Sequence, residues 1–369
     1  MHYLKFYLFH LLGVLTIVSI GLGGYWIYAG YAGLTLFIIV GDVMLGEDLS
    51  IPKIRHPWLY TAQLWLALPL VVGLFLVSMY QFAASDALIH TWLGTTHTSY
   101  SMGEFLVAAL FAGLLIGTLG TVTAHELVHR KWGSISHQIG RWLLSFSFDS
   151  NFAIEHVYGH HINVATEKDA ASAPRGRNVY QHIWRSTIDG NRSAWRIEEK
   201  RLQRQNSATW SFKNRFLMGV LQSVLLLGLA YMLAGTSGLV FLIIAGTVAK
   251  IDLEIVNYME HYGLVRKVGK RVFPRHSWNT TTKISSWTLF NLTRHAHHHA
   301  NANVPFQNLK PFTDAPIMPS GYLGTMLLPL IPPLWYKVME PKLAQWDATH
   351  ASEEELALLR ESGQLKGNV

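Results

Sequence analysis

The residues best suited to carry chemistry are histidines, which fall into clusters instead of being spread along the chain. The sequence has 19 histidines and no cysteine, so no thiolate sulfur is available to hold a metal. Within a cluster the histidines stand three or four residues apart, so on a helix two imidazoles share one face and can converge on one ion. Clustered histidines are typical of metal binding. The sequence predicts nine ligands: His125 and His129; His156, His160 and His161; His295, His298 and His299; and His261.

Nine imidazoles exceed the needs of a single ion. A structural zinc site uses four protein ligands and a catalytic zinc site three, whereas nine nitrogens fill two metal sites with four or five each. Imidazole suits zinc, copper, iron and nickel, and the spacing alone does not choose between them. Metal-bound histidines commonly donate their second ring N–H to a carboxylate. We expect Asp169 and Glu260 to accept such hydrogen bonds.

A different interpretation of one cluster is an intramembrane zinc protease. The segment 125–129, His-Glu-Leu-Val-His, matches the motif in which two histidines bind zinc and the glutamate, here Glu126, is the general base. That hypothesis leaves the seven other clustered histidines without a role. A histidine-lined metal transporter is another alternative, but transport sites lie near the bilayer midplane, whereas these histidines lie at predicted helix ends and beyond.

The elements that carry the clusters are apolar enough to lie in lipid. Half of the sequence is hydrophobic and only 14% is charged, well below the roughly 25% of soluble domains. Apolar runs of membrane-spanning length alternate with polar stretches. We therefore predict an all-α membrane protein, one domain over residues 1–369, with a cytoplasmic histidine-rich helical cap. Its six predicted transmembrane helices are 6–28, 31–46, 58–84, 103–124, 216–234 and 238–258.

The distribution of basic residues predicts the orientation. The loops near residues 29–30, 85–102 and 235–237 contain no Lys or Arg, as is typical of outer loops. Section 125–215, the C-terminal section 259–369 and both termini would then face the cytoplasm. Section 125–215 carries 14 Lys and Arg against eight Asp and Glu, which suits a membrane-facing surface or a docking face for an acidic partner. We expect no nucleic-acid partner.

Four motifs surround the predicted ligands. They are His125-Glu126-Leu127-Val128-His129-Arg130, Glu155-His156-Val157-Tyr158-Gly159-His160-His161, Asn257-Tyr258-Met259-Glu260-His261-Tyr262-Gly263 and Leu292-Thr293-Arg294-His295-Ala296-His297-His298-His299-Ala300. With these motifs the chain resembles the bacterial integral-membrane alkane monooxygenases, within the histidine-box group that also holds xylene monooxygenases and membrane desaturases. The similarity covers essentially the whole chain, and four ordered motifs are specific for this group.

The resemblance implies a non-haem diiron centre, with the nine histidines as ligands, that uses O2 to hydroxylate the terminal carbon of medium-chain n-alkanes to primary alcohols. It also implies electrons from rubredoxin and its reductase, and a place in the bacterial inner membrane with the site toward the cytoplasm. The residues agree in outline, because an unactivated C–H bond needs a redox-active metal, which zinc is not.

Two partners would reach such a site from different sides. An alkane would enter from the lipid, and we expect its site at the cytoplasmic ends of the second, third, fourth and sixth spans. Electrons would arrive from the cytosol, across the basic section. The predicted docking residues for acidic rubredoxin are Arg192, Arg196, Lys200, Arg201 and Arg204.

Two residues of the last motif depart from the alkane monooxygenase pattern. His297 stands where that family usually has an aspartate, and Thr293 where it has a glutamine. Both changes spare the predicted ligands, and we expect His297 to support a ligand instead of binding metal. The changes keep open the oxidation of xylene or another alkyl-aromatic methyl group. A fatty-acyl desaturase or hydroxylase is a more distant alternative.

Overall fold

The structure, a computed structural model, describes residues 2–95 and 99–365, and its regular elements are helices. This described part holds two isolated β-bridges and no strand, which confirms the predicted all-α class. Residues 96–98, in the predicted outer loop 85–102, lie outside it. The helices are α1 (Tyr7–Leu22), α2 (Tyr25–Met44), α3 (Pro57–Trp65), α4 (Ala67–Gln81), α5 (Leu88–Leu93), α6 (Met102–Leu115), α7 (Thr123–Val128), α8 (Ile135–Ser145), α9 (Phe152–Glu155), α10 (His161–Asn163), α11 (Val179–Arg204), α12 (Arg215–His261), α13 (Lys283–Thr288), α14 (His295–Ala300), α15 (Tyr322–Leu327), α16 (Pro332–Thr349) and α17 (Glu353–Glu361).

Five helical stretches of the described chain are long and apolar enough to cross a membrane. Their outward faces are apolar, as expected where lipid surrounds a helix. On α1, for example, Leu11, Leu15, Val18 and Leu22 recur every three or four residues and are all exposed. The five stretches are His2–Leu22, Tyr25–Met44, Pro57–Gln81, Met102–Val128 and Arg215–His261.

The last stretch, α12, accounts for the difference between these five candidates and the six predicted spans. It has 47 residues, and a straight helix of that length would be about 70 Å long, roughly twice the bilayer core. Gly235 interrupts it with φ 71°. A Cβ on Gly238 would lie 2.9 Å from the carbonyl oxygen of Ala230, although residues eight apart on a straight helix are separated by about 12 Å. The chain therefore reverses at Gly235.

Both arms of α12 run past the same neighbour, the end of α8. The Ser223 hydroxyl in the first arm donates to the carbonyl of Ser145, and a Cβ on Gly246 in the second arm would lie 2.6 Å from the carbonyl oxygen of Phe146. Ser223 and Gly246 lie almost equally far along the chain from Gly235, on opposite sides of it. The two arms therefore lie side by side. The arms correspond to the predicted spans 216–234 and 238–258, but the second continues to His261.

The fourth stretch also continues beyond its predicted end at residue 124. It begins at a capping box, in which Ser101 and Glu104 bond each other's backbone N–H. From α6 it passes through a π-helical segment, Ile116–Val122, into α7. Such π-helical turns are frequent at functional sites. As a result His125 lies inside the helix and His129 at its C-terminal end.

The helices of the predicted cap are tied to the membrane-spanning stretches by buried polar contacts. Arg294, just before α14, donates to the carbonyl oxygens of Asp48, Ser50 and Leu309. Asp42, near the end of α2, accepts the backbone N–H of Ser285 in α13 at 2.8 Å. These contacts hold the last histidine cluster against the ends of the long helices.

Candidate metal centre

The structure brings all nine predicted histidines together, in two groups. In the first group, Nε2 of His156 lies 3.2 Å from Nε2 of His129 and 3.0 Å from Nε2 of His161. Nε2 of His298 lies 3.1 Å from Nε2 of His161. His125 completes this group, with a ring nitrogen within 4.8 Å of those of His129, His156 and His298.

The second group consists of His160, His261, His295 and His299. The Nε2 atoms of His160 and His299 are 3.2 Å apart, as are those of His295 and His261. The two groups adjoin where the rings of His161 and His299 stack, with 4.5 Å between their centroids. Five nitrogens in one group and four in the other agree with the number expected for two ions. The role of these histidines as ligands stays a prediction.

The separations fit shared metal ions. Nitrogens about 2.1 Å from one ion, at octahedral to tetrahedral angles, lie about 3.0 to 3.4 Å apart. Neutral imidazoles carry one N–H each, so several Nε2 atoms that converge on one point cannot all be satisfied by hydrogen bonds to one another. In the described part of the chain, Nε2 of His125 is buried without a hydrogen-bond partner, which costs about 1 to 3 kcal/mol unless another group satisfies it. The donor set therefore fits metal.

Burial keeps most of these imidazoles neutral, as metal binding requires. Beyond the membrane-spanning stretches, burial lowers the pKa of His129 to about 4. Burial also lowers the pKa of His156, His161 and His298 well below the ordinary value, and the neighbouring imidazoles lower it further. At neutral pH these rings therefore carry a free lone pair.

Asp169 orients His160 through the ring nitrogen that points away from His299. Each of its carboxylate oxygens lies 3.0 Å from Nδ1 of His160, and the carboxylate also accepts the hydroxyl of Ser172 and the backbone N–H of Ala171. Burial alone would raise the pKa of Asp169, but His160 and Ser172 hold that pKa below its ordinary value. The carboxylate thus accepts a hydrogen bond from Nδ1–H of His160, and Nε2 is left to face His299. This is the contact expected for Asp169 from the sequence.

The carboxylate of Glu260 faces a ring nitrogen that also faces another imidazole. Its Oε2 is 3.2 Å from Nε2 of His295, the same nitrogen that faces His261. The Tyr322 hydroxyl donates to Oε1 at 2.7 Å and fixes the carboxyl group. Glu260, His261 and His295 can therefore hold a metal ion together, so that Glu260 offers an oxygen ligand beside the imidazoles.

Glu126 and His297 also belong to the motifs, but they contact residues outside the two histidine groups. The carboxylate of Glu126 pairs with Arg130 at 2.9 Å, so the residue that would be the general base of a zinc protease serves a salt bridge. Nδ1 of His297 accepts the backbone N–H of Lys310 at 2.8 Å, and its ring lies edge-on to Phe312. His297 therefore holds the loop that follows α14.

An apolar cavity between the membrane-spanning stretches ends at the histidines. His125, His156, His160, His295 and Glu260 line one part of it. Its remaining walls come mainly from the first, second and fourth stretches and the second arm of α12. Among the described lining residues none belongs to the third stretch, contrary to our expectation, and the first stretch takes its place. The walls include Phe9, Leu12, Leu34, Ile38, Phe111 and Leu253.

Three polar residues of this cavity were not singled out from the sequence. Thr121 lies one turn before His125, and its hydroxyl oxygen is buried without a partner among the described residues. Tyr322 holds Glu260. Asp252 lies within the predicted span 238–258, and a charged residue within a span is itself a functional signal that could have identified it.

A wide cleft lies behind Asp169, which bonds His160 and forms part of the cleft wall. The described lining carries eight basic residues against three acidic ones, Glu167, Asp169 and Asp189. Of the predicted docking residues, Arg192, Arg196 and Lys200 line it, whereas Arg201 pairs with Glu198 at 2.6 Å. Its basic residues are Lys168, Arg177, Arg185, Arg192, Arg196, Lys200, Arg266 and Lys267.

The chain is similar to known monooxygenases over most of its length. A family model described as fatty acid desaturase matches residues 103–327. Alkane 1-monooxygenase 1 of Pseudomonas aeruginosa is 35% identical over 84% of this chain and 78% of its own. Alkane 1-monooxygenase of Pseudomonas putida is 34% identical over 86% and 79%. The xylene/toluene monooxygenase hydroxylase component XylM of Pseudomonas putida is 30% identical over 96% and 93%.

These similarities include the centre itself. The region that matches the family model, residues 103–327, contains all nine clustered histidines together with Asp169 and Glu260. The similarity to the alkane monooxygenases extends well beyond that region, over more than four fifths of the chain. The chain therefore belongs to the fatty acid desaturase family and, within it, to the membrane alkane monooxygenases.

Proposed function

We propose that this protein hydroxylates the terminal carbon of medium-chain n-alkanes to primary alcohols, with O2, at two iron ions held by the nine histidines. The observation that carries the proposal is the apolar cavity that ends at the histidine groups. An alkane has no charge and no hydrogen-bonding group, so only shape and apolar contact can hold it. The names of the relatives support this substrate class.

The cavity also accounts for oxidation at the end of the chain. A linear molecule that enters between the long helices presents its terminal methyl group first to the end lined by His125 and His295. Holding that carbon near the reacting atoms accounts for much of the rate of such enzymes. The apolar walls keep water away from the same place.

The histidines, Asp169 and Glu260 have separate tasks in this proposal. When bound, two iron ions would supply the redox chemistry that O2 and an unactivated C–H bond require. The imidazoles would hold the ions, and Asp169 keeps the proton of His160 on Nδ1. The hydroxyl of Tyr322 bonds Oε1 of Glu260, which keeps Oε2 of Glu260 next to Nε2 of His295.

We propose rubredoxin, with its reductase, as the electron source. The chain has no cysteine, so it has no cysteine-ligated iron site of its own, and its electrons must come from another protein. The basic cleft suits an acidic partner, because opposite charge steers and orients a docking protein. Asp169, in the wall of this cleft, bonds His160, which gives a short route from the surface to the centre.

We also propose six crossings of the bacterial inner membrane, with both termini, section 125–215 and section 259–369 in the cytoplasm. The reversal at Gly235 supports this topology, because each arm of α12 is long enough to cross the bilayer once. The absence of Lys and Arg near residues 235–237 supports an outer position for the turn.

Purified protein in lipid nanodiscs, supplied with rubredoxin and its reductase, tests the proposal. We expect about two irons per chain, O2 uptake and 1-octanol from n-octane. His298→Ala should lose iron and product, whereas His297→Ala, the matched control from the same helix, should keep its iron. One zinc per chain without O2 uptake, or equal iron loss in both variants, would contradict the proposal.

Oxidation of the methyl group of xylene is the second candidate. The similarity to XylM over nearly the whole chain favours it, as do His297 and Thr293, which depart from the alkane monooxygenase pattern. p-Xylene is offered to the same nanodiscs in competition with n-octane. A larger kcat/KM for p-xylene than for n-octane would make the aromatic methyl group the preferred substrate.

A further inference from the structure

Asp252 places a carboxyl group in the wall of the apolar cavity. It lies on the second arm of α12, beside Leu253 and Val256, which line the same cavity. Its Oδ2 is buried and has no hydrogen-bond partner among the described residues. An unpaired polar group in apolar surroundings is costly, and an ionisable residue within a membrane span commonly marks a substrate contact.

The fourth stretch packs closely against this carboxyl group, and a residue without a side chain leaves room for it there. Gly117, in the π-helical segment, faces Asp252, and a Cβ there would lie 3.3 Å from Oδ2. Thr118, the next residue in the cavity wall, has a hydroxyl that donates to the carbonyl of Leu114 at 2.8 Å and so already uses its proton. Oδ2 of Asp252 therefore remains able to bond a polar group in the cavity.

The helix fixes the distance between Asp252 and the metal centre. Asp252, Val256 and Glu260 are spaced four residues apart and share one face, and two turns, about 12 Å, separate the first from the last. Glu260 lies against His295 at 3.2 Å. An extended chain advances roughly 1.2 Å per bond, so about ten bonds join a polar group at Asp252 to a methyl group at the centre.

We propose that Asp252 binds the hydroxyl group of a straight-chain primary alcohol of about ten carbons, whose far end the enzyme hydroxylates to give an α,ω-diol. A hydroxyl both donates and accepts, so it pairs with a carboxyl group in either protonation state. The inference rests on the proposed terminal hydroxylation. One C–H bond of the methyl group breaks and a C–O bond forms with one atom of O2. The other atom leaves as water, with two electrons from the redox partner and two protons.

The test compares 1-decanol with n-decane in nanodiscs supplied with the electron donor. The unaltered protein should form 1,10-decanediol from 1-decanol. Asp252→Leu should lower kcat/KM for 1-decanol, relative to that for n-decane, by about tenfold or more, the effect of one lost hydrogen bond to a buried acceptor. Asp252→Asn, which still donates and accepts, should lose less. Oxidation only at the hydroxyl-bearing carbon, or an unchanged substrate ratio in Asp252→Leu, overturns the inference.

A binding measurement separates this inference from the proposed function. Radiolabelled 1-decanol bound to nanodiscs with protein is counted, and lipid uptake is subtracted with empty nanodiscs. Asp252→Leu should bind about tenfold more weakly than the unaltered protein, and equal binding overturns the Asp252 site. If n-decane is not oxidised but binding depends on Asp252, the proposed function fails and the site stands. Melting temperatures establish that each variant is folded. If Asp252→Leu does not fold, the comparison with Asp252→Asn decides whether the site exists.

Discussion

At the residue scale, the hydrogen bonds behind the histidines should matter for metal binding nearly as much as the histidines. Asp169 holds Nδ1 of His160 with both carboxylate oxygens. Asp169→Ala removes this acceptor and frees the ring to turn, so we expect iron affinity to fall about 10- to 100-fold. Asp169→Asn keeps an accepting oxygen and should lose less. Iron per chain, measured after dialysis against a graded chelator series, checks both expectations.

Asp347→Ala is the matched control for the Asp169 variants. Asp347 also makes two close hydrogen bonds, to Nη1 and Nη2 of Arg175 at 2.8 and 2.6 Å, but it is not in contact with the histidine groups. The Asp347→Ala variant should have a lower melting temperature than the unaltered protein, but its folded fraction should keep its iron content. If both aspartate variants lost iron to the same extent, Asp169 would have no particular role at the centre.

The sequence predicted more of the ligand set than of its surroundings. The spacing of His156 and His160 is local information, because four residues make one helical turn. Glu260 and His261 are adjacent, about 100° apart around the helix, so the sequence could not tell which nitrogen of a third ring, His295, the carboxylate would face. The position of Asp252 in the cavity wall depends on its contact with Gly117, which belongs to a stretch far away in the sequence. This position could therefore not be predicted from the sequence either.

At the element scale, the centre depends on close contact between the fourth stretch, which carries His125, and the second arm of α12, which carries His261. A Cβ on Gly113 would lie 2.6 Å from Cβ of Val248 and 2.8 Å from the carbonyl oxygen of Ala245. Gly113→Ala should therefore push the helices apart and destabilise the protein by about 1 to 3 kcal/mol. The melting temperature in detergent, followed by circular dichroism, measures this loss.

Gly228→Ala separates this clash from the effect of losing a glycine. Gly228 lies in the first arm of α12, and a Cβ there would meet no atom within 4 Å. Alanine is favoured over glycine inside a helix by roughly 0.5 to 1 kcal/mol, so this variant should be unchanged or slightly more stable. A comparable loss in both variants would mean that close packing at Gly113 is unimportant.

Hydropathy located the long helices well and their ends poorly. The first span was predicted to end at residue 28, with a loop at residues 29–30, but those residues lie inside α2 and the chain turns at Gly23 and Gly24 instead. The predicted turn at residues 235–237 agrees with the reversal at Gly235, because glycine followed by polar residues interrupts an apolar run. The fourth span was predicted to end at residue 124, where the apolar run stops, yet the helix continues to Val128. A helix end is decided by backbone hydrogen bonds and packing, and buried histidines at the centre allow polar residues to continue it.

At the scale of the whole molecule, the basic cleft should decide how well the protein receives electrons. Replacing Arg192, Arg196 and Lys200 by glutamine should raise the KM for rubredoxin several-fold at low salt and flatten its dependence on ionic strength, since steering falls as salt screens the charges. The kcat at saturating rubredoxin should change much less. Steady-state kinetics at two or more salt concentrations measure both parameters.

The control for the cleft variant is an equal treatment of basic residues elsewhere. Arg55, Arg271 and Lys337 are exposed and do not line the cleft, so replacing these three by glutamine lowers the net charge by the same amount with the cleft intact. This variant should keep the KM for rubredoxin. An equal rise in both variants would assign the effect to net charge and not to a docking surface.

The proposed topology makes the last prediction, which the chain is well suited to test because it has no cysteine. Ser85, Ala208 and Thr236 are exposed and lie in three different connections between the long helices. With six crossings, cysteines at positions 85 and 236 should react with a membrane-impermeant maleimide in intact cells. A cysteine at position 208 should react only after permeabilisation, because one proposed membrane crossing separates it from each of the other two positions. Labelling of position 208 in intact cells would reverse the orientation, and labelling of 208 and 236 on the same side would show that the arms of α12 do not each cross the membrane.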